Sequence, residues 1–261
     1  MLLDRHGRAG DVQTKSSPTD VVTEMDRAAE DLIRGRLLAA RPSDTVLGEE
    51  GGQIGAGEGV RWIVDPLDGT VNYLYGLPDW AVSIAAEVEG VIVAGAVSVP
   101  LRQSLFTAVL GSGAWLESAW QPGRRQLACN PAVPLPAALI ATGFGYGAAQ
   151  RARQGRVVAA VLPSVRDIRR GGSAATDLCS VAAGQVDGYY EHGLNYWDLA
   201  AGALIAREAG ALTGGLRGQA AGTDMTIAAG PALFAELHDL LASLDGGRGS
   251  GTGRRGSETS G

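Results

Sequence analysis

Asp65-Pro66-Leu67-Asp68-Gly69-Thr70 holds the densest group of chemically capable residues in the chain, directly behind the apolar run Trp62-Ile63-Val64. A strand ending in two acids, a glycine and a threonine is suited to a divalent cation. The strand fixes the first carboxylate, Pro66 stiffens the turn, and Gly69 leaves backbone amides free for a phosphate. The same residues also suit a plain strand-to-helix turn in which Asp68 caps a helix, since turns draw aspartate for local reasons. The D-x-x-D spacing, with proline where a nucleophilic aspartate would stand, excludes the phospho-aspartyl chemistry of D-x-D-G-T enzymes. Three further groups are Gly48-Glu49-Glu50, the segment EHGLNYWD (Glu191–Asp198) and Lys15-Ser16-Ser17-Pro18-Thr19-Asp20. Taken singly, these read as a solvated acidic pair, a helix N-terminal carboxylate favoured by the dipole, and a polar turn.

Taken in order and spacing, the stretches KSSPTDVVTEMD (Lys15–Asp26), GEE (Gly48–Glu50), WIVDPLDGTVNY (Trp62–Tyr73) and GGSAATDLCSVAAGQVDGYYEHGLNYWDLAAG (Gly171–Gly202) resemble the inositol monophosphatase family of magnesium-dependent, lithium-sensitive phosphatases. The resemblance runs from about Asp11 to the last helix. It implies Glu49, Asp65, Asp68 and Asp198 as metal carboxylates, with the carbonyl of Leu67, around two or three Mg²⁺ ions that Mn²⁺ can replace. It assigns water activation to Thr70 with Asp26 as partner, and a place near the metal site to Lys15. The amides of Gly69 and Thr70 would hold phosphate oxygens, and Gly172-Ser173-Ala174 and Glu191 would meet the substrate, with Asp68 and Asp198 touching it as well. The implied reaction is hydrolysis of a phosphate monoester by a metal-activated water, without a covalent intermediate. The leading substrate is myo-inositol 1-phosphate. Family alternatives are histidinol phosphate or other sugar phosphates, and a different class of role is a weakly active, protein-binding member that regulates transcription.

These groups need elements to position them. Thr23 to Ala40 reads as an amphipathic helix with Met25, Ala29, Leu32, Ile33 and Leu37 on one face, Thr23 as N-cap and Asp26 completing a capping box. Gly51–Gly59 reads as a mobile loop. Five strand-like runs follow in direct succession, Val60–Val64, Trp80–Val88, Val91–Val99, Leu105–Val109 and Ala114–Glu117, which predicts an antiparallel sheet. A proline-rich bridge, Asn130–Pro136, separates them from an alternating second half: Leu139–Thr142 (strand), Ala149–Leu162 (helix), Val165–Arg169 (extended), Ser173–Ala183 (helix), Val186–Tyr190 (strand), Asp198–Ala209 (helix, ended by Gly210) and Ala232–Leu244 (helix). Residues 1–128 are thus expected to form one α+β half with the metal motifs, and 129–245 a second with the substrate residues and Asp198. A low-complexity tail, 246–261, is expected to be disordered. The fold implied by the resemblance is a layered αβαβα sandwich of the α+β class, like inositol monophosphatase and fructose-1,6-bisphosphatase, expected to pair as a homodimer. Only about ten residues precede the lysine motif, where relatives carry a full helix, and the glycine-rich stretch after Glu50 lacks the acids that would serve a third metal site.

Composition agrees with this reading. The 261 residues are 45% hydrophobic and 19% charged, with mean hydropathy +0.05, which suits a packed globular chain. The longest apolar stretch, Val91–Val99, is too short to span a bilayer, and no apolar leader opens the chain. Net charge is −6 and no basic run precedes the tail, so neither a membrane nor nucleic acid is expected as a partner. Cys129 and Cys179 are too few for a disulfide framework, which points to the cytoplasm. Three scattered histidines make no zinc motif, so any cation must rest on carboxylates. Of 22 basic residues Lys15 alone is lysine. Trp80, Trp115, Trp120 and Trp197 are expected in the core or at a subunit contact, and Cys179 is expected to be buried.

Overall fold

The computed structural model describes residues 1–7, 12–14, 21–55, 57 and 59–245. Lys15 and the tail from Gly246 lie outside the described residues. In chain order the elements are α1 (Leu2–Arg5), β1 (Val12–Thr14), β2 (Val21–Thr23), α2 (Glu24–Ala40), β3 (Thr45–Gly48), β4 (Gly52–Gly55), β5 (Arg61–Asp68), α3 (Thr70–Leu74), β6 (Ala81–Val88), β7 (Val91–Val99), β8 (Ser104–Val109), β9 (Ala114–Ser118) and β10 (Gln121–Gln126). The second half adds β11 (Leu139–Thr142), α4 (Ala148–Val161), β12 (Asp167–Arg169), α5 (Ala174–Ala182), β13 (Gly188–Glu191), α6 (Tyr196–Glu208), β14 (Leu212–Gly214), β15 (Thr226–Ala229) and α7 (Pro231–Asp245).

An eight-stranded sheet runs β10-β9-β8-β7-β6-β5-β3-β4 and a five-stranded one β12-β11-β13-β15-β14. The five predicted runs are adjacent antiparallel strands of the larger sheet, as their succession requires. Strand β3, which was not among the expected runs, adds a parallel pairing with β5. Alternation of side chains across the pleat builds the layers. Ala141, Tyr189 and Ala228 of the smaller sheet pack on α5 and α6, while their chain neighbours Ile140, Tyr190 and Ile227 pack on Val161 of α4 and Leu233, Leu237 and Leu241 of α7. On their other side α5 and α6 meet Ile63, Ala85, Val97 and Phe106 of the larger sheet. With α2 against β5, the order of layers is α, β, α, β, α.

Helix α6 is buried on every side from Leu199 to Ala206, so its small residues set how closely the sheet can approach. A Cβ at Gly95 of β7 would lie 3.0 Å from the Cα of Ala201, and one at Gly202 would lie 2.9 Å from the Cβ of Leu178 on α5.

Two expectations are corrected. Gly51–Gly59 is not simply a loop, because Gly52–Gly55 pairs antiparallel with Thr45–Gly48 as the edge strand β4. Glycines there weaken the strand signal in the sequence, and the ladder to β3 overrides it. On α2, Leu32 is exposed, and the buried stripe runs through Asp26, Glu30 and Arg34 beside Met25 and Ala29. Charged residues replace the apolar face because polar partners on neighbouring loops await them. Trp80 is fully buried and Cys179 likewise, whereas Trp120 is 73% exposed. Strands β1, β2, β3, β10, β14 and β15 had no counterpart among the expected elements. Among the described residues no helix is long and apolar enough to cross a membrane.

Replacing Gly95 by valine drives atoms into the backbone of α6, which cannot swing aside. A loss of about 1–3 kcal/mol in unfolding free energy is expected, measured by urea denaturation.

Candidate active site

The motif residues meet at one end of both sheets. Parallel strands β3 and β5 run side by side with Gly48 opposite Val64, so Glu49 and Asp65 leave adjacent strand ends. This is where open parallel sheets place ligands. A register shift in β5 between Asp65 and Asp68 turns the strand there, and the Asp65 Oδ1 accepts from the Leu67 amide at 3.0 Å. Asp65 and Leu67 are each 1% exposed. Gly69 then has φ +91°, and a Cβ there would lie 2.9 Å from the carbonyl oxygen of Asp79, so no other residue fits this turn into α3.

Asp26 uses both carboxylate oxygens. Oδ2 accepts from the amide and hydroxyl of Thr23, the capping box expected from sequence, and Oδ1 accepts from the Thr70 hydroxyl at 3.0 Å. The Thr70 hydroxyl also lies 3.2 Å from the Leu67 carbonyl. Burial pushes the Asp26 carboxyl upward, against the lowering effect of its Thr23 and Thr70 hydrogen bonds.

Asp68 does cap a helix, one more than a hundred residues away. Its Oδ2 accepts from the Ser173 hydroxyl at 2.6 Å and the Ala175 amide at 2.7 Å, at the N-terminus of α5. Asn72 of α3 reinforces the join, donating to the carbonyls of Gly171 and Asp79. Gly172, at φ +96°, would press a Cβ to within 2.8 Å of the Asn72 amide nitrogen. From the second half, Glu191 ends β13 and accepts from the Tyr189 hydroxyl at 2.7 Å. Asp198 sits in the first turn of α6, where its Oδ2 accepts from the Asn195 amide at 2.6 Å.

These residues line one cavity of about 390 Å³, which takes in Glu49, Asp65, Leu67, Asp68, Gly69, Thr70, Gly172, Ala174, Glu191 and Asp198. Ser173 stands just behind it as the Asp68 donor. The sequence reading missed Gly143–Gly147, Gln150 and Arg170, which complete the wall. A glycine-rich run directly after β11 was the available signal. A Cβ at Gly143 would fall 1.9 Å from Glu191 Oε2, so that glycine makes room for the carboxylate. Arg170 is the basic residue among the described lining. A second cavity of about 360 Å³ between α4 and α7 takes in Tyr190, Glu191 and His192 but none of the other acids of the site, and is walled by Val157, Met225 and Leu241.

Desolvation first, then repulsion from Glu49, Asp68 and Asp198, holds the Asp65 carboxyl well above the usual range. Asp198 is raised well by burial and by Asp68, against the lowering effect of the Asn195 amide. Asp68 is raised by burial while its Ser173 and α5 amide contacts pull it down. Glu191 is pushed up to about 7, chiefly by burial. Carboxylates that repel one another across a cavity are a donor set for a hard divalent cation, whose charge reverses that logic. Among the described residues no group of three acidic, histidine or cysteine side chains is close enough to hold an ion as it stands.

The sequence profile of the inositol monophosphatase family matches residues 1–244. The chain belongs to the inositol monophosphatase family. An inositol-1-monophosphatase of Mycobacterium bovis is 48% identical over 250 residues, covering 92% of this chain and 85% of its own. A Vibrio cholerae protein named Nus factor SuhB is 41% identical over 213 residues, covering 81% and 76%. Among solved structures, the Thermotoga maritima IMPase superposes with a TM-score of 0.84 at 29% identity, covering 94% of this chain and 92% of that one. The chain is therefore a phosphoric monoester hydrolase of this family, and the αβαβα sandwich expected from the resemblance is its fold.

The carboxyl shifts have a consequence for stability. Asp65, Asp198 and Glu191 bind protons more tightly in the folded state than in the unfolded chain. Each therefore weakens folding as pH rises from its unfolded value, 3.8 for the aspartates and 4.5 for Glu191, through its raised folded value. Asp44 and Asp167, which are lowered, act in the opposite direction but only in the acid range. Chelator-treated protein is expected to melt at a lower temperature near about pH 8 than near about pH 5.5. Added Mg²⁺ should raise Tm more at the higher pH, as scanning calorimetry would record.

Proposed function

We propose that this cavity hydrolyses the phosphate monoester of a small polyol, with myo-inositol 1-phosphate as the leading substrate. The observation that carries the reading is the convergence of Glu49, Asp65, Asp68 and Asp198 on the wall of one cavity beside the Asp26–Thr70 pair. Glu49, Asp65, Asp68, Asp198 and the Leu67 carbonyl would hold Mg²⁺, two or three ions in all, or Mn²⁺ in its place. Bound ions supply Lewis acidity for a water and for the phosphate oxygens.

The chain's own residues do the rest. Asp26 takes the hydrogen of the Thr70 hydroxyl, which leaves the Thr70 lone pairs to accept a proton from a water in the cavity. Burial of Asp26 favours its protonated form and so helps it draw that proton. The amides of Gly69 and Thr70, at the left-handed turn into α3, are placed to hold phosphate oxygens. Gly172 and Ala174 let substrate lie close to the backbone, and Ser173 acts through Asp68. Glu191, with Tyr189 fixing one oxygen, is placed to read polyol hydroxyls. Lys15 belongs to this set by resemblance.

The reading treats 1–128 and 129–245 as two halves meeting at the site, which the end of the larger sheet at Gln126 and the start of the smaller at Leu139 support. It places the protein in the cytoplasm as a lithium-sensitive homodimer, acting on a small molecule and not on membrane or nucleic acid. Exposed Leu105, Val109, Leu110 and Trp120 offer apolar surface for pairing. Similarity to a protein named Nus factor SuhB favours one second reading, a protein-interaction member with weak activity. Association with RNA polymerase, tested by co-purification, separates the two.

Phosphate release from inositol, histidinol, fructose and adenosine phosphates, with and without Mg²⁺ and Li⁺, tests the main reading. It expects Mg²⁺-dependent release, greatest for inositol phosphate. Asp65→Asn is expected to abolish release while far-UV circular dichroism stays unchanged; near-normal turnover with added Mg²⁺ would overturn the reading. Glu191→Ala should raise KM for inositol 1-phosphate more than for glycerol 2-phosphate, and equal changes would remove Glu191 from substrate recognition.

A further inference from the structure

Helix α2 sets Asp26, Glu30 and Arg34 at intervals of four, on one stripe, and buries all three. Asp26 belongs to the Thr70 pair. Glu30, 1% exposed, and Arg34, 8% exposed, have no part in the chemistry described above. A buried ion pair adds little net stability over a well-packed apolar pair, so its use is better sought in what it holds.

What it holds is the turn between β3 and β4, the turn that carries Glu49. Glu30 Oε2 accepts from the Glu50 amide at 2.8 Å, and Oε1 accepts from the Gly51 amide at 2.8 Å and from Arg34 Nη2 at 2.8 Å. Arg34 Nη2 donates in addition to the Gly52 carbonyl at 2.7 Å. The fit is close on both sides of Glu49-Glu50. A Cβ at Gly48 would fall 2.4 Å from Glu30 Oε2, and one at Gly51 would fall 2.1 Å from Arg34 Nη1. Like charge on Asp65 repels Glu49, and an edge turn rich in glycine has little stiffness of its own to resist it.

We propose that Glu30 and Arg34 are positioning residues: a buried ion pair that clamps the backbone of the Glu49 turn and so keeps the Glu49 carboxylate facing Asp65. The proposal rests on the reading of Glu49 as a cation ligand. It makes α2 the organiser of both sides of the site, with Asp26 fixing Thr70 and, one turn on, Glu30 fixing Glu49.

Glu30→Gln keeps the shape of the side chain but removes the charge and one of the acceptors. The test is calorimetric titration of the full, chelator-treated chain with Mn²⁺ in four forms: wild type, Glu30→Gln, Glu49→Gln and the double variant. Hydrogen exchange at the Glu50 and Gly51 amides is measured alongside. Glu30→Gln is expected to weaken Mn²⁺ binding by about tenfold, the lower end of what outer ligand supports contribute. The two amides should also exchange faster. In the Glu49→Gln background the further substitution should change affinity by less than about twofold, since the ligand it positions is gone. An equal loss in both backgrounds would mean a general structural role and overturn the proposal, as would unchanged affinity in Glu30→Gln. Wild-type affinity in Glu49→Gln would instead refute the ligand reading itself, and the proposal with it. If Glu30→Gln does not fold, Arg34→Lys takes its place in the same cycle, because a single ammonium cannot reproduce the planar fork, and it must show the same pattern.

Discussion

Repulsion among carboxylates drawn into one cavity is the constraint around which this molecule is organised. Fully buried Asp65 and half-buried Glu49, Asp68 and Asp198 line one cavity, where Glu49 and Asp68 each raise the energy of charged Asp65 and Asp198. Left to local preference, such side chains would turn toward water. Backbone donors fasten three of them: the Leu67 amide holds Asp65, the N-terminus of α5 holds Asp68 and the Asn195 amide holds Asp198. The result is a standing demand for positive charge at the mouth of the two sheets.

Asp68 shows how that demand is tied to the architecture. The residue leaves the end of β5 in the first half, and its partners Ser173 and Ala175 open α5 in the second. The contact puts a carboxylate at the positive end of a helix, lowers its proton affinity against the pull of burial, and holds the two sheets in register at the site. Asn72 bridges the same seam beside it. Gly69 and Gly172 are needed there because both backbones adopt positive φ where they approach one another.

Packing supplies the rigidity that these contacts need. Helices α5 and α6 fill the space between the sheets, and small residues along α6 allow β7 and α5 to close on it. A shift of either helix would move Asp198 and the α5 amides together, so the carboxylate wall and the interior are mechanically one object. On the far side α2 contributes polar contacts in place of an apolar face.

Much of this was legible in the sequence because its signals are local. The capping box at Thr23-Asp26, the strand before Asp65, the antiparallel succession through Ala114–Glu117 and the helix ended by Gly210 all arise from residues close together in the chain. The motif order was enough to point to the family. Periodicity failed where a long-range partner outweighed local preference: β4 is strand because β3 offers it a ladder, and Leu32 faces out because Glu30 and Arg34 have amides and a carbonyl waiting inside. Gly143 and Arg170 were missed since neither carries meaning until β11 and β12, each paired or aligned with β13 in one sheet, bring them toward Glu191. Residue types and their order thus determined the chemistry available to this protein. Only the tertiary structure decided which acids share a wall, how buried they are and which helix ends restrain them, because desolvation and repulsion depend on distances that chain spacing does not contain.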